Sequence, residues 1–252
     1  MIQGVRDTFH LVLRALREAR RQPAVEIGNI FIPMFFFAVT VGAIGNVAGR
    51  AFGIDNYLGF QMPVAILQAV GAGNAGLGMV TDIERGYFDK LLLTPASRTS
   101  LVVSRLCADG IRIAVLTLCI VVVGLIAGSG MATGPLGVLM LMAIGGLFGV
   151  AYSGIGMALA LKTGSAQATQ LGFLLFFPLL FLSPAFAPKA VFSPWLETVA
   201  TFNPVTYILQ GMRGLVLEGW DVRALGEAFG AIAALGVLTM TLVFGALRSR
   251  TA

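Results

Sequence analysis

Residues 27–47 read IGNIFIPMFFFAVTVGAIGNV, a run of twenty-one positions without one charged side chain. As a helix rising about 1.5 Å per residue it reaches roughly 30 Å, the thickness of a bilayer's hydrocarbon core. The run shows no polar alternation of the kind a half-buried strand carries, so it predicts a membrane-crossing helix. Lipid offers no partner to a bare backbone N–H or C=O, and a helix satisfies both within itself.

Similar runs recur along the chain. We read six spans, at 25–49, 58–80, 106–128, 135–161, 168–184 and 226–247. The composition agrees: of 252 residues 57% are hydrophobic and 12% charged, and mean hydropathy is +0.89. Soluble domains carry about twice that charge. The expected fold class is therefore an all-α integral membrane protein, with residues 1–24 as an accessory helix and 25–252 as one transmembrane domain. No room remains for a soluble catalytic domain. Cys107 and Cys119 stand about 18 Å apart along one predicted helix, too far to bridge.

The net charge of +5 fits topology better than nucleic-acid binding, because no soluble basic patch exists to grip a phosphate backbone. Arg and Lys accumulate in cytoplasmic segments of membrane proteins. With the N-terminus inside, those segments and helix ends hold Arg6, Arg14, Arg17, Arg20, Arg21, Arg85, Lys90, Arg98, Arg105, Arg112, Lys162, Arg248 and Arg250. That is 13 of the 17 basic residues, leaving Arg50, Lys189, Arg213 and Arg223. The expected arrangement is a multi-pass protein of a bacterial plasma membrane with both termini cytoplasmic.

Residues 1–24 lack a small-residue cleavage site and do not read as a signal peptide. Ile2, Val5, Phe9, Val12, Leu13 and Leu16 recur at helical spacing, with Arg6, Arg14, Arg17, Glu18 and Arg21 opposite. That pattern predicts an amphipathic helix lying in the membrane interface. Pro23 ends it and turns the chain into the first span.

Within the spans, Gln61, Gln68 and Asn74 are uncharged amides, which face protein or water rather than hydrocarbon. They serve either as glue between helices or as lining for a pathway. Gly145 and Gly149, and likewise Gly124 and Gly128, stand at GxxxG spacing and predict close helix packing, though with 32 glycines chance supplies some such pairs. Pro178 interrupts span five and Pro184 ends it. Residues 185–225 mix Pro188, Pro194, Trp195, Tyr207 and Trp220, which predicts short helices dipping into the outer leaflet.

One long internal loop remains, 81–105: TDIERGYFDKLLLTPASRTSLVVSR. Tyr87, Phe88 and the leucines 91–93 have no reason to stand among charges in a solvated loop. A short amphipathic helix docked in another protein's groove does present them so. Pro95 would stop that helix, and Ser97 would cap the next.

This loop resembles the signature of the ABC-2 type exporter permeases, where an acidic–basic–Gly triplet precedes a hydrophobic short helix and a Thr-Pro turn. The Asn203-Pro204-x-x-Tyr207 element also resembles that family's external motif. The six-span plan, the N-terminal interfacial helix and the re-entrant external segment extend the likeness nearly end to end. The drug-export branch, with its daunorubicin-type resistance permeases, is the most similar in size.

The resemblance implies a non-catalytic permease subunit that works with a second, identical or homologous, permease and two separate ABC ATPase subunits. Glu84, Arg85, Gly86, Leu91, Leu92, Pro95 and Arg98 would form the coupling contact with the ATPase. Phe31, Phe35, Gln61, Gln68, Phe173, Phe176 and Phe177 are candidates for a pathway suited to a small amphipathic substrate. Asn203, Pro204 and Tyr207 are the external motif.

The residues agree on energy supply. The chain has no GxxxxGK[ST] loop to hold ATP, so ATP and Mg are expected on the partner. It has one histidine, His10, and no metal-ligand or nucleophile–base set; no cofactor or metal is expected on this chain. An ion-coupled carrier keeps an ionisable residue at mid-depth, and the sequence shows none. The expected function is ATP-driven efflux of hydrophobic or amphipathic drugs or antibiotics. A lipid or glycan exporter of the same family is the alternative, with an ion-coupled secondary carrier behind it.

Overall fold

The computed structural model describes residues 2–71, 73, 75–87, 90 and 98–251, with side chains for all of these except 2–7, 98 and 251. The described residues form helices and turns and contain no strand. In chain order the helices are α1 (Ile2–Arg20), α2 (Pro23–Phe52), α3 (Tyr57–Gly71), α4 (Ala75–Glu84), α5 (Arg98–Ile126), α6 (Gly134–Thr163), α7 (Ala166–Phe181), α8 (Pro194–Phe202), α9 (Pro204–Arg213) and α10 (Val222–Thr251). A 3-10 turn, Lys189–Val191, precedes α8, and a π turn, Gly214–Glu218, follows α9.

Among the described residues five helical stretches are long and apolar enough to cross a membrane: Pro23–Phe52, Tyr57–Glu84, Thr99–Ile126, Gly134–Thr163 and Val222–Arg250. The expected sixth, 168–184, is α7, a 16-residue apolar helix reaching about 24 Å. Pro178 does not interrupt it, and it ends at Phe181, before Pro184. The expected span at 58–80 is two helices, α3 and α4, with Gly73 between them outside either one.

Start and stop signals explain the bounds. Pro23 fills the first turn of α2, where a missing N–H costs nothing. Gly53 and Gly164 end α2 and α6 in the left-handed conformation at φ 65° and 64°. Ser165 caps α7 by accepting from the Ala168 N–H.

Lipid tails are as apolar as leucine, so helix association here rests on close packing rather than on expelling water. Glycine supplies the closeness. A Cβ at Gly146 would stand 3.0 Å from the Gly110 carbonyl oxygen on α5, and Gly145 and Gly149 abut Thr117 and Ile113 of the same helix. The α6 GxxxG pair thus marks the α5–α6 seam. Gly124 instead meets Met62 of α3, and Gly128 lies beyond α5 at φ +97°.

The main core gathers Ile66, Ile113, Ile120, Leu141, Ile144, Phe148, Phe176 and Met212 from α3, α5, α6, α7 and α9. A second core near α1 joins Met79, Val102, Leu106, Met157 and Val243. The helix α1 lies against α5, with Val12 buried and Leu11 packed on that second core. By contrast α2 buries only Pro33, Phe37 and Ala48 of its 30 residues.

Candidate functional site

The ends of α1, α2, α4 and α5 meet in a network of charges, which the spacing of the sequence did not reveal. Asp82, 5% exposed on α4, accepts from Arg14 Nη2 of α1 at 3.3 Å and from Arg105 Nε of α5 at 3.1 Å. Arg105 Nη2 also pairs with Asp82 and lies 3.7 Å from Glu18. About two turns past Arg105, Arg112 Nε donates to Asp109 at 3.0 Å, and its Nη1 reaches Glu26 of α2 at 3.2 Å. Ser153 of α6 donates to Asp109 in turn.

These pairs bear on the expectation that the spans hold no ionisable residue at mid-depth. Asp109 and Arg112 stand near the middle of α5, both buried, and their pairing explains how a membrane helix tolerates them. The i,i+3 spacing of an acid and an arginine within an apolar run was the available signal. Arg14 and Glu18, expected on a face turned to headgroups, turn instead to this network.

The loop triplet has a local job. The α4 helix runs to Glu84 and stops because Gly86 takes φ +63°, a conformation that favours glycine. Glu84 and Arg85 are exposed. The Arg14 guanidinium lies 3.9 Å above the ring of Tyr87, so the same arginine touches both α4 and the segment leaving it. Leu91, Leu92, Pro95 and the expected cap Ser97 lie outside the described residues, and Arg98 is the first residue of α5.

The expected pathway residues do not converge within one chain. Phe31 and Phe35 stack on each other, exposed, along α2. Phe176 is buried against Tyr152, at 5.1 Å between ring centroids, while Phe177 is half-buried. Gln61 is 2% exposed in the core, and among the described residues neither its Oε1 nor that of half-buried Gln68 has a hydrogen-bond partner. Phe173 alone of the seven lines a cleft of about 590 Å3 between α2 and α7.

That cleft exists because side chains are missing from its floor. Gly76 of α4, Gly156 of α6 and Gly172 of α7 meet there, with a Gly76 Cβ only 2.6 Å from the Gly156 carbonyl and a Gly172 Cβ 3.4 Å from Gly156 Cα. Asn29, Ile32, Tyr152, Ser153 and Thr169 complete the walls. A smaller cavity of about 250 Å3 lies among α1, the start of α2, α4 and α5, lined by Glu18, Glu26, Arg105, Asp109 and Arg112.

At the opposite end the motif formed by Asn203, Pro204 and Tyr207, expected to be external, is a staple. Asn203 Oδ1 accepts from the Val205 N–H at the start of α9, and its Nδ2 donates to the Leu179 carbonyl of α7 at 2.6 Å. Pro204 occupies the first turn of α9, and Tyr207 donates to the Thr201 carbonyl at 2.7 Å. Arg213, 8% exposed, donates to the carbonyls of Phe60, Pro184 and Ala185 at 3.0, 2.6 and 2.9 Å. Burial draws its pKa down to about 9, so it remains a cation at neutral pH.

Among the described residues no group of three or more His, Cys, Asp or Glu is placed to hold a metal ion.

Comparison with known proteins follows the same outline. The chain is 27% identical over 247 residues to the daunorubicin resistance ABC transporter permease protein DrrB1 of Streptomyces coeruleorubidus, covering 95% of this chain and 86% of that one. It is 26% identical over 217 residues to a protein of Mycobacterium tuberculosis described as a doxorubicin resistance ABC transporter permease, DrrC, covering 85% and 78%. It is 25% identical over 267 residues to ycf38 of Porphyra purpurea, described as a transport permease, covering 98% and 90%. Residues 6–217, which hold four of the five candidate spans found among the described residues, the paired charges and the Asn203 staple, match the ABC-2 type transporter family, and the chain is a multi-pass membrane protein that belongs to this family.

Proposed function

We propose that this chain is the permease subunit of an ATP-driven exporter that moves hydrophobic or amphipathic small molecules out of a bacterial cell. It works as a pair of permeases, with two separate ATPase subunits, and both of its termini lie in the cytoplasm. Resemblance to daunorubicin and doxorubicin resistance permeases supports drug-like cargo.

The observation that carries the reading is the grip of Arg14 on Asp82 and Tyr87. The segment leaving α4, from about Gly86 to Pro95, seats on the ATPase. A push on it is passed by Arg14 to α1, and by Asp82 and Arg105 to α5. Two arrangements of these packed helices then face the pathway to one side or the other. ATP biases the pair by acting on one of them. The exposed apolar faces of α2 and α7, including Phe31, Phe35 and Leu174, serve the second permease and the cargo.

The test is reconstitution of the chain with its ATPase in proteoliposomes. Vanadate-sensitive outward flux of an amphipathic dye is the expected result; flux driven by an ion gradient without the ATPase would overturn the reading. Leu92→Asp and Glu84→Ala should each lower transport-coupled ATP turnover while the subunits still insert. Unchanged turnover in both would remove the coupling role.

A further inference from the structure

The cleft between α2 and α7, at about 590 Å3, has the size of sites that enclose a small organic molecule. Among the described residues no side chain lining it is charged. Its buried hydroxyls are already engaged: Tyr152 donates to the Gly172 carbonyl at 2.7 Å, Thr169 to the Ser165 carbonyl at 2.9 Å, and Ser153 to Asp109. Gln167 Oε1 accepts from Ser165. Asn29 differs. Its Nδ2 is buried and donates to none of the described residues. An amide N–H shut away from water keeps a desolvation cost that only an acceptor relieves.

We propose that this cleft binds an uncharged, largely apolar molecule bearing an oxygen acceptor, and that Asn29 Nδ2 is the donor that selects it. The inference rests on the export reading for its cargo and adds the cargo's chemistry. A charged guest finds no counter-ion on these walls: Glu26, one turn before Asn29, is paired with Arg112, and Asp109 is held by Arg112 and Ser153. A guest without oxygen leaves Nδ2 unpaired. A site built around one buried polar group discriminates against the analogue that cannot meet it, by about tenfold for one hydrogen bond. Ile32, Leu171, Phe173 and Leu174 supply the apolar surface for the remainder of the guest.

The test uses the full-length chain in lipid nanodiscs, photolabelled with benzophenone, with fluorenone and fluorene as competitors. These two share one tricyclic frame and differ by a ketone. Label is expected on the segments holding Asn29 and Leu171–Leu174. At equal membrane concentration fluorenone should displace it about tenfold more effectively than fluorene. The ratio should fall to near one in Asn29→Leu and persist in Asn46→Leu, an exposed amide of α2 remote from the cleft. Equal potency on the unaltered chain, a ratio that survives Asn29→Leu, or stronger displacement by the cation 9-aminoacridine would each overturn the proposal. The comparison on the unaltered chain decides it even where Asn29→Leu fails to insert. Binding is read without ATP, so failure here is distinct from failure of the export reading, which appears in the flux measurement.

Discussion

Glu26, in the first turn of α2, meets Arg112 of α5 at 3.2 Å, and this ion pair is a polar tie at the end of a helix whose side chains are mostly unburied. Arg112 serves Asp109 at the same time. Arg112→Met removes the cation that two carboxylates share, and breaking such a buried pair costs about 3–5 kcal/mol. Glu26→Gln keeps the Asp109 pair and touches only a partly exposed carboxylate, so it should cost about 1 kcal/mol or less. Thermal unfolding of the purified chain in detergent checks this; equal losses would show that the tie to α2 is the larger part.

The Arg213 end predicts a second hierarchy. Arg213→Met strips the donors from the Phe60, Pro184 and Ala185 carbonyls and removes a guanidinium lying 3.4 Å over the Phe60 ring. The loss should be about 3 kcal/mol or more. Arg213→Lys keeps charge but not the planar fork, and should recover less than half. Full rescue by lysine, in the same unfolding measurement, would show that charge alone matters.

Asn203 joins two helix ends through one amide. Asn203→Ala loses both the α9 cap and the donor to Leu179, for about 2 kcal/mol together. Asn203→Ser retains a capping oxygen and should recover about half of that. Asn203→Asp keeps the cap yet sets a buried carboxylate beside a carbonyl, so it should be no better than alanine. Limited proteolysis within 185–221, compared across the three variants, gives the ranking.

Glycine at the helix crossing is tested by one methyl group. Gly76→Ala drives its Cβ to 2.6 Å from the Gly156 backbone and the Thr169 side chain, and neither the backbone nor the helices carrying it yield cheaply. A loss of about 1–3 kcal/mol is expected. Gly230→Ala on α10 meets nothing within 4 Å and should be neutral or stabilising by a few tenths of a kcal/mol. Similar yields of folded protein for both would contradict the close approach.

Some of this was written in the chain plainly. The apolar run at 27–47 forces a helix whatever surrounds it, because lipid leaves the backbone no alternative. Pro23 and Gly86 set helix limits through their own backbone preferences, and the amphipathic stripe of residues 1–24 predicted a helix, placed by its sequence in the membrane interface. These are local properties, decided by neighbours within a turn.

What local rules could not reach were the pairings between distant positions. Asp82 meets Arg14 across 68 residues and Arg112 meets Glu26 across 86, so charges that read singly as helix ends and loops become two ion-pair clusters with Asp82, Asp109 and Arg112 buried in them. The same holds for Arg213, counted by sequence among external charges and buried by its reach to Phe60, 153 residues away. Phenylalanines show the converse: Phe31, Phe173 and Phe176 read alike in sequence, yet one is exposed, one lines the cleft and one is packed in the core. Hydrophobicity fixes which segments enter the membrane. Which side chain then meets a partner, a cavity or lipid depends on the rotation and crossing of helices, and those are set jointly by all the elements that pack.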